Sequence, residues 1–245
     1  MVVAQILSDP DLMVRFGKND SLPADFGYHL DERLVEFPWV FARLEHGDGR
    51  LLDAGSALNF PYLMDYDVMI QKHIVIYTLA PDDVIKRPNI SYVYGDLRNT
   101  LFHDESFDEI VCISTLEHIG MDNTMLYSSD ANFEENRPAD YLQAVQEFRR
   151  LLKPDGKLLV TVPYGRYENH GWLQQFDRSM VEAVMLSFDG TKSAVTYYQY
   201  GTQGWQVSSP DECSDCTYFD IHHRMGYELD YVAAARAVAC IEMIK

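Results

Sequence analysis

The sequence predicts an α/β fold: a mostly parallel sheet of seven strands with helices on both faces. Three observations predict it. Near-continuous apolar segments alternate with segments of helical periodicity, as in a sheet buried on both sides. Turn residues punctuate the alternation at short intervals. A chain of 245 residues is also long for one core and short for two, so residues 1–245 read as a single domain with embellishments. The embellishments are an N-terminal helical cap, 1–46, and an insertion, 201–230, between the last two strands.

Each element has its own grounds. "DERLVEFPWVFARLEH" (Asp31–His46) carries Leu34, Phe37, Phe41 and Leu44 near one helical face, with Pro38 either kinking it or starting a second turn. A "GDGR" turn leads into a short buried strand ending at Asp53. "HIVIYTLAP" (His73–Pro81) is β-branched and bounded by proline, "ISYVYGD" (Ile90–Asp96) is a third strand, and "FDEIVCIS" (Phe107–Ser114) is a fourth. The next helix keeps Leu142, Val145, Phe148 and Leu152 on one face, starts at Pro138 and stops at "KPDG" (Lys153–Gly156). "KLLVTVP" (Lys157–Pro163) is the fifth strand. A helix at Asp177–Phe188 and strands at Lys192–Tyr200 and Ala237–Ile244 complete the alternation, with Gly201–Asp230 irregular between the last two.

Composition narrows the function. The chain is 47% hydrophobic and 24% charged, without repeats, and no run reaches the roughly 20 apolar residues that span a bilayer. The start has no basic region and carries Asp9 and Asp11 early, unlike a signal peptide, so a cytoplasmic location is expected. A formal charge of −18 repels phosphate backbones and anionic membranes, which argues against nucleic-acid and membrane partners and for a small-molecule ligand. Cys213 and Cys216 form a single CxxC, which lacks the second ligand pair of structural zinc and reads as two free thiols.

In doubly covered parallel sheets, ligands bind beyond the carboxyl ends of the strands, near the switch in strand order. That edge comprises 53–59, 78–83, 95–97, 114–120 and 163–170. Its first loop, "RLLDAGSALNF" (Arg50–Phe60), has one glycine where a dinucleotide fold wants three, and an aspartate two residues before it. A carboxylate there repels a pyrophosphate and suits a ligand with a positive amino group. The loop argues against NAD and for a cofactor without phosphates.

The order of "LLDAGS", "YGDLRN", "FDEIVCISTLEHIG" and "EFRRLLKPDGKLLVTVP" resembles the class I S-adenosylmethionine-dependent methyltransferases, in particular the methyltransferase-11-like small-molecule enzymes. The resemblance spans Leu51–Pro163 strongly and the C-terminal strands more loosely. It implies a Rossmann-like fold whose last strand is antiparallel, and S-adenosylmethionine as cofactor, with S-adenosylhomocysteine as product. It places Asp53, Ala54, Gly55 and Ser56 along the methionine part, Thr78 and Leu79 at the ribose, Asp96 and Leu97 at the adenine, and Ser114 and Thr115 beneath the sulfonium. Three positions depart from the pattern. Ala57 and Asn59 stand where further glycines are usual, Thr78 replaces the acid that grips the ribose hydroxyls (with Asp82 or Asp83 as helpers), and Asp155 replaces a turn glycine.

A hydroxyl or ammonium acceptor needs a base, and topology nominates His118 with its neighbour Glu117, and His170 as a second choice. In the related ubiquinone-type O-methyltransferases the matching glutamate and histidine help hold a divalent metal, but the further acid of that site falls at Ser114, so no metal is expected. The stretch after the fifth strand, "PYGRYENHGWLQQFD" (Pro163–Asp177), supplies Tyr164, Arg166, Tyr167, Glu168 and Trp172, a set suited to a polar ring such as a sugar. The 201–230 insertion, with His222, His223 and Arg224, and the N-terminal helix, with Glu32, Arg33, Trp39 and Arg43, are expected to close the acceptor side. The function so implied is O-methylation of a small polar metabolite, a sugar or glycan precursor, by a monomer or homodimer. Phenol, quinone, amine and carboxylate acceptors, or a non-catalytic cofactor-binding module, are the alternatives.

Overall fold

A computed structural model describes residues 2–80, 83–127, 134–223, 228, 230 and 234–245. In chain order, α1 (Val2–Leu7), α2 (Pro10–Lys18) and α3 (Arg33–Phe41) precede β1 (Arg50–Ala54). The short helices α4 (Pro61–Met64) and α5 (Asp67–Ile70) lead to β2 (His73–Thr78), β3 (Ile90–Tyr94) and β4 (Phe107–Ile113). A 3₁₀ turn at Leu116–His118 follows, and then α6 (Tyr141–Leu151) runs directly into β5 (Leu152–Pro163). A two-residue strand pair, β6 (Glu168–Asn169) and β7 (Gln174–Gln175), precedes α7 (Arg178–Phe188), β8 (Lys192–Gly201), β9 (Gly204–Ser208) and β10 (Ala237–Ile244).

The sheet has eight strands in the order β3-β2-β1-β4-β5-β10-β8-β9, one more than the seven predicted. Strands β3, β2, β1, β4 and β5 are mutually parallel, and β10 enters antiparallel between β5 and β8. The additional strand is β9, taken from the segment expected to be irregular. It folds back on β8 through Thr202 and Gln203, with Gly201 and Gly204 in register, and the Trp205 amide donates to Phe26 at 2.7 Å. The connection between β1 and β2 stays on one side of β1, and β4 lies on the other, so the switch in strand order falls between β1 and β4.

Burial explains the layers. Val35, Trp39, Val40, Leu51, Leu63 and Met69 pack one face of the sheet under α1–α5, and Phe148, Val145, Leu151, Val181, Val184 and Phe188 pack the other under α6 and α7. Each such side chain contributes roughly 1.5–3 kcal/mol when fully buried. Pro38 lies inside α3 and begins no second helix; its carbonyl still accepts from Ala42 at 2.9 Å. Trp39 and Arg43, expected at the acceptor side, belong to the packing instead. Arg43 stacks on Trp39, donates to the Phe16 and Trp39 carbonyls and pairs with Glu242 on β10. At the opposite edge from the loops of interest, Lys72 and Glu109 form a buried ion pair that also receives the Glu45 amide. Asp155 sits at φ 61° in the turn before the long part of β5, a left-handed position that aspartate tolerates.

Candidate cofactor and acceptor site

The site begins where β1 ends. Asp53 is fully buried, and its Oδ2 accepts the Leu58 amide at 3.0 Å, closing the loop on itself. The Gly55 amide donates to the Tyr77 carbonyl at 2.8 Å, and Gly55 takes φ 112°, which side chains rarely adopt. A Cβ there would lie 2.1 Å from the Thr115 Oγ1. The β1 loop therefore passes against the β4 loop at a distance only glycine permits. The missing glycines have substitutes: Ser56 adopts φ 67°, and Asn59 donates to the Asp83 carbonyl while accepting from the Tyr92 hydroxyl, each at 2.8 Å.

One pocket gathers Gly55, Thr78, Leu79, Asp96, Leu97, Thr115 and His118, with Arg98, Asn123 and Glu135 on its rim. Asp53 and Ala54 lie beneath it, fully buried, and Asp82 is outside the described residues. A narrow glycine cradle, two leucines for a base and a threonine hydroxyl fit S-adenosylmethionine. Asp96, however, is already engaged. Arg98 Nε lies 3.0 Å from both of its oxygens and Nη2 lies 2.6 Å from Oδ2, while Arg98 also reaches Glu135 and Asp140. Burial alone would raise the Asp96 pKa, but these bonds hold it below the usual carboxylate range. An adenine amine reaches Asp96 only by sharing or displacing Arg98.

At the end of β4 the acceptor side opens. Ser114, strained at φ 42°, donates its hydroxyl to Glu36 Oε1 at 2.7 Å, and Thr161 donates to the same oxygen at 2.6 Å. Arg33 pairs with the other Glu36 oxygen. Glu117 is buried beside them, its Oε2 without a hydrogen-bond partner. Burial, together with Glu36 and Glu32 against the pull of Arg33, raises its carboxyl well above the ordinary range. Glu32 also leaves Oε2 unpartnered, and burial followed by Glu36 pushes it up to about 7. Three carboxylates thus share one guanidinium.

His118 Nδ1 lies 3.0 Å from the Trp172 carbonyl, which can only accept, so Nδ1 carries the proton and Nε2 the lone pair. Burial lowers its pKa to about 4, leaving it neutral at pH 7. His170 does not line the cofactor pocket. Its Nδ1 is 3.4 Å from Asp220 Oδ2, its Nε2 is 3.6 Å from Glu168, and its ring meets Tyr218 at 5.3 Å. Asp220 is a hub: it also accepts Trp172 Nε1 at 3.1 Å and His223 Nδ1 at 2.6 Å, and the His222 amide at 3.0 Å. The adjacent histidines diverge, His223 to Asp220 and His222 edge-on to Trp172. Arg224 lies outside the described residues. Among the described residues, no group of three His, Cys, Asp or Glu is placed to hold a metal ion, and Cys213 and Cys216 are free thiols. Tyr164 is buried with its hydroxyl toward the Pro210 carbonyl, while Tyr167 is exposed, so the polar loop after β5 divides between packing and solvent.

The sequence reading missed Glu36, Thr161, Tyr218 and Asp220. Glu36 did carry a signal, as the single acid in the apolar run "RLVEFPWVF". The others owe their place to long-range folding.

Residues 55–160 match the family model described as a methyltransferase domain. The fold is likewise similar to solved structures. A chain from the complex of the Haloferax volcanii Trm112 methyltransferase activator aligns at 12% identity and TM-score 0.51, covering 98% of this chain and 96% of that one. Phosphoethanolamine N-methyltransferase 2 of Haemonchus contortus, bound to phosphomonomethylethanolamine and S-adenosylhomocysteine, aligns at 12% identity and TM-score 0.51, covering 84% of this chain and 51% of that one. The Burkholderia thailandensis 1,6-didemethyltoxoflavin-N1-methyltransferase aligns at 13% identity and TM-score 0.44, covering 81% and 72%. No curated protein matches the chain. Residues 55–160 thus match a methyltransferase domain, and the sheet that carries them is Rossmann-like, a fold consistent with S-adenosylmethionine as cofactor. No helix among the described residues is long and apolar enough to cross a membrane.

Proposed function

We propose that the chain methylates a hydroxyl or amine of a small polar molecule, held between α3, the turn after β4 and the segments 164–177 and 218–223. The observation that carries this is the set of titratable groups near the end of β4: Glu36, bonded to Ser114, and Glu117 are buried, and Glu32 and His118 are half-buried. A carboxylate acceptor would meet three carboxylates there, whereas a hydroxyl or ammonium finds acceptors for its proton. A sugar hydroxyl, the acceptor class suggested by the loop after β5, remains compatible with Trp172 and Tyr218 as stacking faces.

Division of labour follows the geometry. The cofactor supplies an electrophilic methyl group when bound. Gly55, Ser56 and Thr115 would hold its amino-acid end, Thr78 and Leu79 its ribose, and Leu97 with Asp96 its base. Ser114, fixed by Glu36, shapes the floor beneath the reacting centre. His118 Nε2 or the Glu117 carboxylate takes the acceptor proton, a contribution of about 10²- to 10⁴-fold. Water exclusion and alignment supply the rest. The test is formation of S-adenosylhomocysteine with a panel of alcohols, amines, phenols and carboxylates. Turnover with alcohols or amines supports the reading, and turnover confined to carboxylates contradicts it.

A further inference from the structure

The unpartnered oxygens of Glu32 and Glu117 bear on the charge of the acceptor. Each of these oxygen atoms is out of contact with water, although Glu32 as a residue is half-buried, and a buried acceptor without a donor costs about 1–3 kcal/mol. The cation facing them is Arg33, already committed to Glu36. With Glu36 also satisfied by Ser114 and Thr161, the cluster lacks donors just where two oxygens are bare, and burial favours the neutral forms of Glu32 and Glu117 until a further cation faces them. Helix α3 by itself does not explain this, because Glu117 lies on a different element.

A second feature is independent of the carboxylates. The rings of Tyr218 and Trp172 meet near a right angle, 71° apart with centroids at 6.5 Å, and form a corner. The corner reaches the carboxylates through His118, whose ring meets Trp172 at 5.2 Å and which follows Glu117 directly in the chain. Two aromatic faces beside two carboxylates are the elements that bind an organic ammonium, with N–H groups toward oxygen and the charge toward the rings. The Arg33 side chain is 37% exposed, so the cluster meets solvent at that side chain.

We propose that Glu32, Glu117, Trp172 and Tyr218 form a subsite for a protonated amine on the acceptor. The inference rests on the methyltransferase reading for the word acceptor; the ammonium subsite itself stands on the side chains named. It selects, among small polar molecules with a hydroxyl or amine, those that carry an amino group, whether that nitrogen or a neighbouring oxygen is methylated.

The test uses the full chain and three probes of one shape: 2-phenylethylammonium, 2-phenylethanol and phenylacetate. Each is titrated by calorimetry or NMR in the absence and presence of S-adenosylhomocysteine. The ammonium is expected to bind about tenfold more tightly than the alcohol, and the carboxylate most weakly. Glu117→Gln and Glu32→Gln, made separately so that one misfolded variant does not decide the matter, are each expected to cut the ammonium-to-alcohol ratio by about threefold or more. Equal binding of ammonium and alcohol, no binding of the ammonium, or a ratio unchanged in a folded variant overturns the proposal. Failure of S-adenosylhomocysteine to bind would instead strike the cofactor site, and the probe ratio measured without it would still report on the subsite.

Discussion

Glu32→Gln is the sharpest perturbation of the acceptor side, because its effect on stability has a calculable sign. Burial, reinforced by Glu36 and opposed by Arg33, pushes the Glu32 carboxyl from 4.5 to about 7. A carboxyl whose pKa is raised on folding binds more protons in the folded state than in the unfolded one between those values, so stability falls as pH rises through that window. At about 1.4 kcal/mol per pH unit, the full cost above pH 7 is at most about 3 kcal/mol. Partial solvent access beside Arg33 reduces it to about 1–2 kcal/mol. Glutamine keeps the shape and removes the titration. In urea denaturation at pH 5 and pH 8, the wild type is expected to lose about 1–2 kcal/mol relative to the variant on going from the lower to the higher pH, and the variant is expected to be the more stable at pH 8. Parallel pH dependences, or a variant less stable at pH 8, would refute the claim that Glu32 is a buried and poorly compensated charge.

Other sites yield equally direct outcomes. Gly55→Ala is expected to weaken S-adenosylhomocysteine binding by at least about tenfold by calorimetry. Thr115→Ala is not expected to rescue it, because the new Cβ also meets the Thr115 Cβ at 2.8 Å and φ stays at 112°. Lys72→Met leaves Glu109 buried without its cation and is expected to cost about 3 kcal/mol in chemical denaturation. Asp220→Asn strips Trp172 and His223 of a charged acceptor and is expected to lower stability by about 1–3 kcal/mol while reducing Trp172 fluorescence anisotropy. His118→Ala is expected to lower kcat by about 10²-fold or more, and His170→Ala, outside the cofactor pocket, by less. If His118 is the base, kcat/KM stays flat above about pH 5, since its neutral form already prevails there; a rise through pH 6–7 would assign the step to another group.

Much of the sheet was legible because its signals are local. The strands at β2, β4 and β5 are near-continuous apolar runs, as expected of strands buried on both faces. Helices α1 and α2 lie within the expected N-terminal helical cap but were not read one by one, although Asp9 before Pro10 is a helix-start signal. Strand β9 was hidden because five residues, "GWQVS", become a strand only by pairing with β8. At the cofactor edge, Gly55, Thr78, Leu79, Asp96, Leu97 and Thr115 meet in one pocket because each directly follows a parallel strand. What the sequence concealed was occupancy and charge. The Asp96–Arg98 contact joins residues two apart, but Glu135 and Asp140, which also hold Arg98, lie far along the chain. The sequence also hides that Glu36 and Glu117, 81 positions apart in number, face the same Arg33.

The most direct measurement is a crystal structure of the chain with S-adenosylhomocysteine. The account predicts its nucleoside against Thr78, Leu79 and Leu97, Arg98 shifted or shared at Asp96, and its homocysteine end beside Gly55 and Ser114, pointing toward Glu117. Density for the ligand anywhere other than the edge between β1 and β4, or none at saturating concentration, would contradict it.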